Sequence, residues 1–533
     1  MAHIDSGSAG VTAPADHEPA SRGRWWTLAV VCIGPMMAFV NVSSTLGGLA
    51  TIQADLHPSS SMAVWIASAY SLVVASLVLG SGTIGDLIGR RLIFATGAAV
   101  FAVGSAVACA AHDTAVLIAG QVVMGIGGAM ILPTSLAIIS HTFTDTRERT
   151  EAVSMWAGSS GLGLAIGPLG AGLLVGAFSW HSIYLINVVL GGLALLGACT
   201  VIEESRIRTR TLDLGGITLG TVAIAALTFA VIEGGSLGYT EGRILWAYAV
   251  LAVSLVAFIG YEARHSDPML DVTLFRSGAF SAVMGTAAIT LLAFTGTALV
   301  TVLYFQHVQE ISVLAAAARL MVMFGPFILI SAVAARIVHR IGFKTMLTLG
   351  LIVMAAGIFA LLASPAGTGF ARIWPGLLLA GIGSGMLIAP TTAAAVNSVA
   401  PDRAGMASAA VNMFRQVGNV LGASVLGTIL TTRFAGNLGD ELAAADLPRP
   451  VVVGVVSSAA QGEHPAALPP ALAGPVGNAV RHAFTDAAHL ALSVAAIALL
   501  ITTIPVAIFV RQDPAAAAKQ SRDDAGHRSS PER

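Results

Sequence analysis

The stretch GIGGAMILPTS, Gly125 to Ser135, returns later in the chain as GIGSGMLIAPTT, Gly381 to Thr392, an offset of 256 residues. A second match sits at nearly the same spacing: GTIGDLIGRRL from Gly82 pairs with ARIVHRIGFKT from Ala335, an offset of 253. These stretches lie in or beside apolar runs longer than the roughly 20 residues a helix needs to cross a bilayer, so what repeats is a set of membrane helices. The offset maps helices one to four onto nine to twelve. Chain order then pairs five and six with thirteen and fourteen, and leaves seven and eight as an insert. Like halves in one orientation, with a site between them near the bilayer midplane, are the plan of transporters.

Composition agrees with that reading. Of 533 residues, 56% are hydrophobic and 10% charged, against about 25% charged in soluble domains, and mean hydropathy is +0.82. A soluble globular protein is excluded, and in lipid every backbone polar group has to be satisfied within helices. The net charge of -1 gives no reason to expect nucleic acid as a partner. Cys32, Cys109 and Cys199 show no paired or metal-ligand spacing, so neither a disulfide framework, a metal nor a cofactor is expected.

Fourteen apolar runs follow one another from 26–48 to 486–510; the seventh covers 213–232 and the thirteenth 406–431. With the N-terminus in the cytoplasm, twenty basic residues fall on the inner side and only Arg243, Arg372, Arg433, Arg449 and Arg481 on the outer. That asymmetry predicts a multi-pass protein of the bacterial inner membrane with both termini cytoplasmic. The expected layout is a disordered tail (1–25), an N-terminal six-helix bundle (26–202), a two-helix insert (203–277), a C-terminal six-helix bundle (278–510) and a second disordered tail (511–533). Pro, Ala and Gly accumulate over 433–485, which reads as an external loop.

At GTIGDLIGRRLIF (Gly82 to Phe94) the chain resembles the major facilitator superfamily, and more closely its fourteen-helix drug/proton antiporters of the EmrB/QacA type. This stretch resembles the signature loop between helices two and three, with Gly82, Asp86, Gly89, Arg90 and Arg91 as a cytoplasmic gate. The resemblance implies that Asp86 faces the helix opening near Gly405, beside Asp402 and Arg403, and latches that side shut. GSSGLGLAIGPLGAGLL (Gly158 to Leu174) resembles the antiporter motif of helix five, where Gly163, Gly167 and Gly172 permit close contact and Pro168 permits bending. WHSIYLIN (Trp180 to Asn187) resembles the family's entry into helix six, and SVAPDRAGMASAAVNMFRQVGNVLG (Ser398 to Gly422) its helix thirteen.

Two departures bear on the mechanism. Where the family usually carries an acid in helix one and an arginine in helix four, this chain has Asn41 and Gln121. An amide cannot titrate, so proton coupling at this pair is expected to be absent or moved, with His489, His307 and Glu310 as poor substitutes. Apart from residues at the very ends of the inferred spans, such as Asp213 and Asp486, the clearly ionisable residues within them are Arg319, Arg415 and His489, with no deep carboxylate. Arg319 reads as an interfacial anchor, while Arg415, with Gln416 beside it, is a candidate substrate or gating contact. The resemblance implies a secondary exporter of small amphipathic molecules, embedded in membrane lipid, with possible proton coupling. The alternative is a transporter-derived sensor or scaffold that binds a ligand or lipid without turnover. No motif for an enzyme is present.

Overall fold

A computed structural model describes residues 20–206, 213–265, 268, 270–399, 404–444, 449–460 and 470–511. Among these residues all regular structure is helical. The α-helices are α1 (Ala20–Leu56), α2 (Ser60–Ile88), α3 (Arg90–Cys109), α4 (Thr114–Thr142), α5 (Thr146–Ala177), α6 (Ser182–Val201), α7 (Leu214–Leu237), α8 (Gly242–Glu262), α9 (Gly278–Leu303), α10 (Val313–Leu362), α11 (Phe370–Asn397), α12 (Ala404–Leu421), α13 (Gly427–Ala444), α14 (Arg449–Ala460) and α15 (Pro470–Phe509). Thirteen helical stretches among the described residues are long and apolar enough to cross a membrane, two of them within α10. Outward-facing apolar side chains such as Trp246, Val253 and Val256 on α8 suit a lipid environment.

Local chemistry sets the helix boundaries. Ser59, Asp113, Asp213 and Ser312 each accept a backbone N–H from the first turn of the helix they precede, supplying a partner that the helix itself lacks there. Gly89 separates α2 from α3 at φ 143°, and Gly342 kinks α10 at φ 80°; both follow an isoleucine in the repeated stretch, and both conformations strain any residue with a Cβ.

The repeat is also present in the packing. A Cβ on Gly163 of α5 would overlap the Met36 carbonyl of α1, and one on Gly418 of α12 would overlap the Ala288 carbonyl of α9. Gly97 of α3 and Gly127 of α4 each press on the other's carbonyl, as do Gly350 of α10 and Gly383 of α11. In lipid, where apolar burial does not drive helices together, such small-residue seams allow the close backbone approach that does. The first and last sets of helices meet along two seams, α5 against α10 and α2 against α12, while α7 packs on α8, α2 and α13.

Four expectations need correction. The segment 433–485 is largely helical: α13 runs to Ala444, α14 follows, and α15 begins at Pro470. Leu438 and Leu442, four apart on one face, bury against Val455, Val476 and Ala483, so the apolar residues there close a small core that a Pro- and Ala-rich composition conceals. The run expected over 406–431 is interrupted by a π-helical turn, Gly422–Leu426, between α12 and α13. Finally, α7 continues past 232 to Leu237, which brings Glu233 inside its apolar stretch Leu214–Gly235. Helix α1 likewise begins within the expected tail, at Ala20.

Candidate functional site

Asn41 and Gln121 are bonded to each other. The Asn41 amide Nδ2 donates to Gln121 Oε1 at 3.0 Å, and both residues are buried, each 1% exposed. Gln121 Nε2 in turn donates to Thr45 Oγ1 (3.1 Å) and to the Tyr184 hydroxyl (3.3 Å), and Asn187 Nδ2 donates to Asn41 Oδ1 (3.3 Å). The cluster follows from helical spacing: Asn41 and Thr45 stand four apart on α1, and Tyr184 and Asn187 three apart on α6, so each pair shares a face. The Trp180 indole N–H, bonded to Asp55 Oδ2 at 2.7 Å, pins the start of α6 to the end of α1. Five neutral side chains therefore fill the junction of α1, α4 and α6, with Asn187 Oδ1 left without a partner. The arrangement orients dipoles and holds no exchangeable charge. Sequence reasoning missed Thr45, Tyr184 and Asn187; the polar i, i+3 pair inside an apolar helix was the available signal.

At the other end of these helices lies the Gly82–Phe94 motif. Asp86 Oδ1 accepts from Arg90 Nε (2.9 Å) and Nη2 (2.8 Å), and Arg90 Nη1 also donates to the Ala137 carbonyl at 3.2 Å. The Arg91 and Leu92 amides donate to the Glu204 carboxylate at 3.2 and 3.3 Å, and Arg91 Nη2 donates to the Cys199 carbonyl at 2.6 Å. A carboxylate at the start of α3 suits the positive end of the helix; nothing in the sequence reading singled out Glu204. Helices α2 and α12 pack together, and Gly405, near which Asp86 is expected to face a helix opening, lies in the first turn of α12; Asp402 and Arg403 beside it lie outside the described residues.

On α5, a Cβ at Gly167 would overlap the Ser43 hydroxyl, Pro168 lies against Gly47, and Gly172 presses on the Leu314 backbone. Gly163 and Gly167 thus face α1, whereas Gly172 faces α10 across the seam between the two sets of helices.

The second set holds a different arrangement. Arg415 Nη2 donates to the Ile388 carbonyl and to Thr392 Oγ1 (2.8 Å) on α11, and its buried Nε has no partner. Among the described residues no carboxylate pairs with it. Gln416 turns instead toward Asn419, whose Nδ2 donates to Gln416 Oε1 at 3.2 Å and whose Oδ1 accepts from Thr295 on α9. Neighbours in sequence, Arg415 and Gln416 therefore serve separate contacts, and neither is bonded to Asn41 or Gln121.

The remaining candidates are more peripheral. Arg319 donates to Gln309 and lies over the rings of Phe305 and Phe370, 5.4 and 5.2 Å from their centroids. His307 Nδ1 donates to the Leu303 carbonyl at 3.1 Å and the ring stacks on Phe484. His489 lines a small cavity of about 40 Å³ with Tyr304, Ser364 and Thr485. Glu310 sits at φ 52°. Among the described residues no group of three His, Cys, Asp or Glu converges as a metal site would require.

The sequence profile described as Major Facilitator Superfamily matches residues 31–423. The chain is 32% identical to the tetracenomycin C resistance and export protein of Streptomyces glaucescens, over 93% of this chain and 94% of that one. It is 31% identical to the multidrug resistance protein Stp of Mycobacterium tuberculosis, over 81% of this chain and 80% of that one. The fold is similar to that of a POT family transporter solved with 5-aminolevulinic acid (TM-score 0.61, 14% identity, covering 91% of this chain and 96% of that one). It is also similar to the human organic anion transporter MFSD10 (TM-score 0.57, 14% identity, covering 91% and 99%).

Proposed function

As the chain belongs to the major facilitator superfamily, a family of transporters and not of enzymes, we propose that this multi-pass secondary transporter of small molecules works outward, as a drug or secondary-metabolite exporter. The reading rests on the glycine-on-carbonyl seams that recur at the spacing of the sequence repeat. Relatives named for antibiotic resistance and export support the direction and the class of cargo, small amphipathic molecules. The layout is that of the fourteen-helix EmrB/QacA type: six helices (26–202), an insert of two (203–277) and six more (278–510), with both termini cytoplasmic in a bacterial inner membrane. The two sets rock against each other along the α5–α10 and α2–α12 seams. The Gly82–Arg91 motif gates the cytoplasmic end and Pro168 lets α5 bend. Arg415 is a substrate or gating contact, and Asn41 and Gln121 form a proton-inert joint between α1 and α4.

The test uses full-length protein in liposomes, with and without a pH gradient, and a panel of neutral, anionic and cationic fluorescent dyes and antibiotics. At least one panel compound is expected to be moved faster than in protein-free vesicles. Binding without flux across the whole panel would overturn the reading and assign a ligand-binding sensor instead.

A further inference from the structure

Helix α7 carries one charged residue, Glu233, and it lies within the apolar stretch Leu214–Gly235. Its Oε1 accepts from the Trp65 indole N–H of α2 at 2.9 Å. Two residues on, a Cβ at Gly235 would overlap the Thr428 methyl of α13. Further down, α7 is strapped to α2 by the Thr221 hydroxyl, which donates to the Ser76 carbonyl at 3.3 Å, and by Ile217 against Gly80. The carboxylate therefore stands where α2, from the first set of helices, and α13, continuing the second, are both held by the insert.

We infer that Glu233 is the group that binds and releases the coupling proton. This deepens the exporter reading and rests on it. Two alternatives are poorly suited: the Asn41–Gln121 cluster contains no carboxylate or imidazole, and the Arg415 guanidinium keeps its proton near neutrality. Glu233 has the needed chemistry. Ionised, it takes a charge-assisted bond from Trp65; protonated, the same contact is roughly half as strong, so occupancy by a proton changes how firmly α2 is tied to α7 and α13. A group inside a span whose protonation alters a moving contact satisfies the requirement that the ligand distinguish the two states.

The charged groups on the elements around it are few. Helix α13 contributes Arg433, beside Thr432, and beyond it Asp440 and Glu441; α8 carries Arg243, with Glu241 as its cap, and Glu262 at its far end; α12 contributes Arg415, seven residues before the π-turn; α2 carries only Asp86, at its far end; and the π-turn Gly422–Leu426 carries none. The ring of Tyr239 folds back on Gly234, and burial pushes its phenol above the usual range, helped by Tyr248, so this neighbour does not compete for the proton near neutrality.

The experiment compares wild type, Glu233→Gln, Glu233→Asp and Trp65→Phe in proteoliposomes, using a panel dye that wild type moves. In Glu233→Gln, accumulation driven by a pH gradient should be lost, while exchange of labelled for unlabelled dye, which carries no net proton, persists. Glu233→Asp should recover gradient-driven transport. Trp65→Phe should move the midpoint of the pH profile upward, because removing a donor to the ionised form disfavours that form. In detergent without dye, the infrared signal of a carboxyl group protonating between alkaline and acidic buffer should be smaller in Glu233→Gln than in wild type. Gradient-driven transport in Glu233→Gln equal to wild type, or an Asp variant as inactive as Gln with both folded, would overturn the assignment. A wild type that moves no dye at all would instead overturn the exporter reading, and the infrared comparison would still decide whether Glu233 titrates.

Discussion

An arginine at position 121 would be buried against the Asn41 amide and the Tyr184 hydroxyl with no acid in the cluster. Gln121→Arg is expected to destabilise the protein by about 3–5 kcal/mol, the scale of a buried charge deprived of its partner, seen as a lower unfolding temperature in detergent. Adding Asn41→Asp should recover most of that loss. A single variant as stable as wild type would mean that this junction is not dry. The sequence allowed Asn41 and Gln121 to be placed at similar depth, because their distances from the helix ends can be counted. It did not allow Thr45, Tyr184 and Asn187 to be joined to them, since facing depends on how α6 rolls against α1 and hydropathy carries no such angle. Glu233 escaped for a plainer reason. A hydropathy window stops at the first charge, whereas the helix continues because Trp65 gives that charge a partner.

Among the helices, the glycine seams separate two kinds of position. Gly163→Ala and its repeat counterpart Gly418→Ala would each drive a methyl into a neighbouring carbonyl, at a cost of about 1–3 kcal/mol each. Gly158→Ala, on the same helix as Gly163 with open space around it, should be neutral or stabilising by up to about 1 kcal/mol. Thermal unfolding of the three purified variants checks this, and equal effects at 158 and 163 would remove the case for a seam. The motif glycines of α5 were legible from the sequence as a contact surface, though not which neighbour each would meet. The helices within 433–485 were not legible. Their core consists of a few Leu, Val and Ala residues brought together from α13, α14 and α15, and nothing local marks such a non-local cluster.

In the whole molecule, the two seams decide whether the sets of helices can part. A Cβ on Gly161 would lie 3.7 Å from the Ile328 Cβ across the α5–α10 seam, a separation a disulfide spans without strain. Gly161→Cys/Ile328→Cys should therefore stop dye transport when oxidised and recover it on reduction; transport that continues through the cross-link would show that this seam does not move. Asp86→Asn, which breaks the bond to Arg90, should slow export while leaving membrane insertion intact, on the scale of about 1 kcal/mol for a charge at a helix end; wild-type flux would remove the motif from the gate. The insert covers only one of the seams: α7 lies along α2 and reaches α12 and α13, whereas among the described residues neither α7 nor α8 packs on α5 or α10. For a compound dissolved among the acyl chains the molecule thus has a walled side and an open side. Were a hydrophobic cargo to enter sideways, the α5–α10 face is the one the insert leaves open to it among the described residues, and the lipids standing there would compete with it for entry.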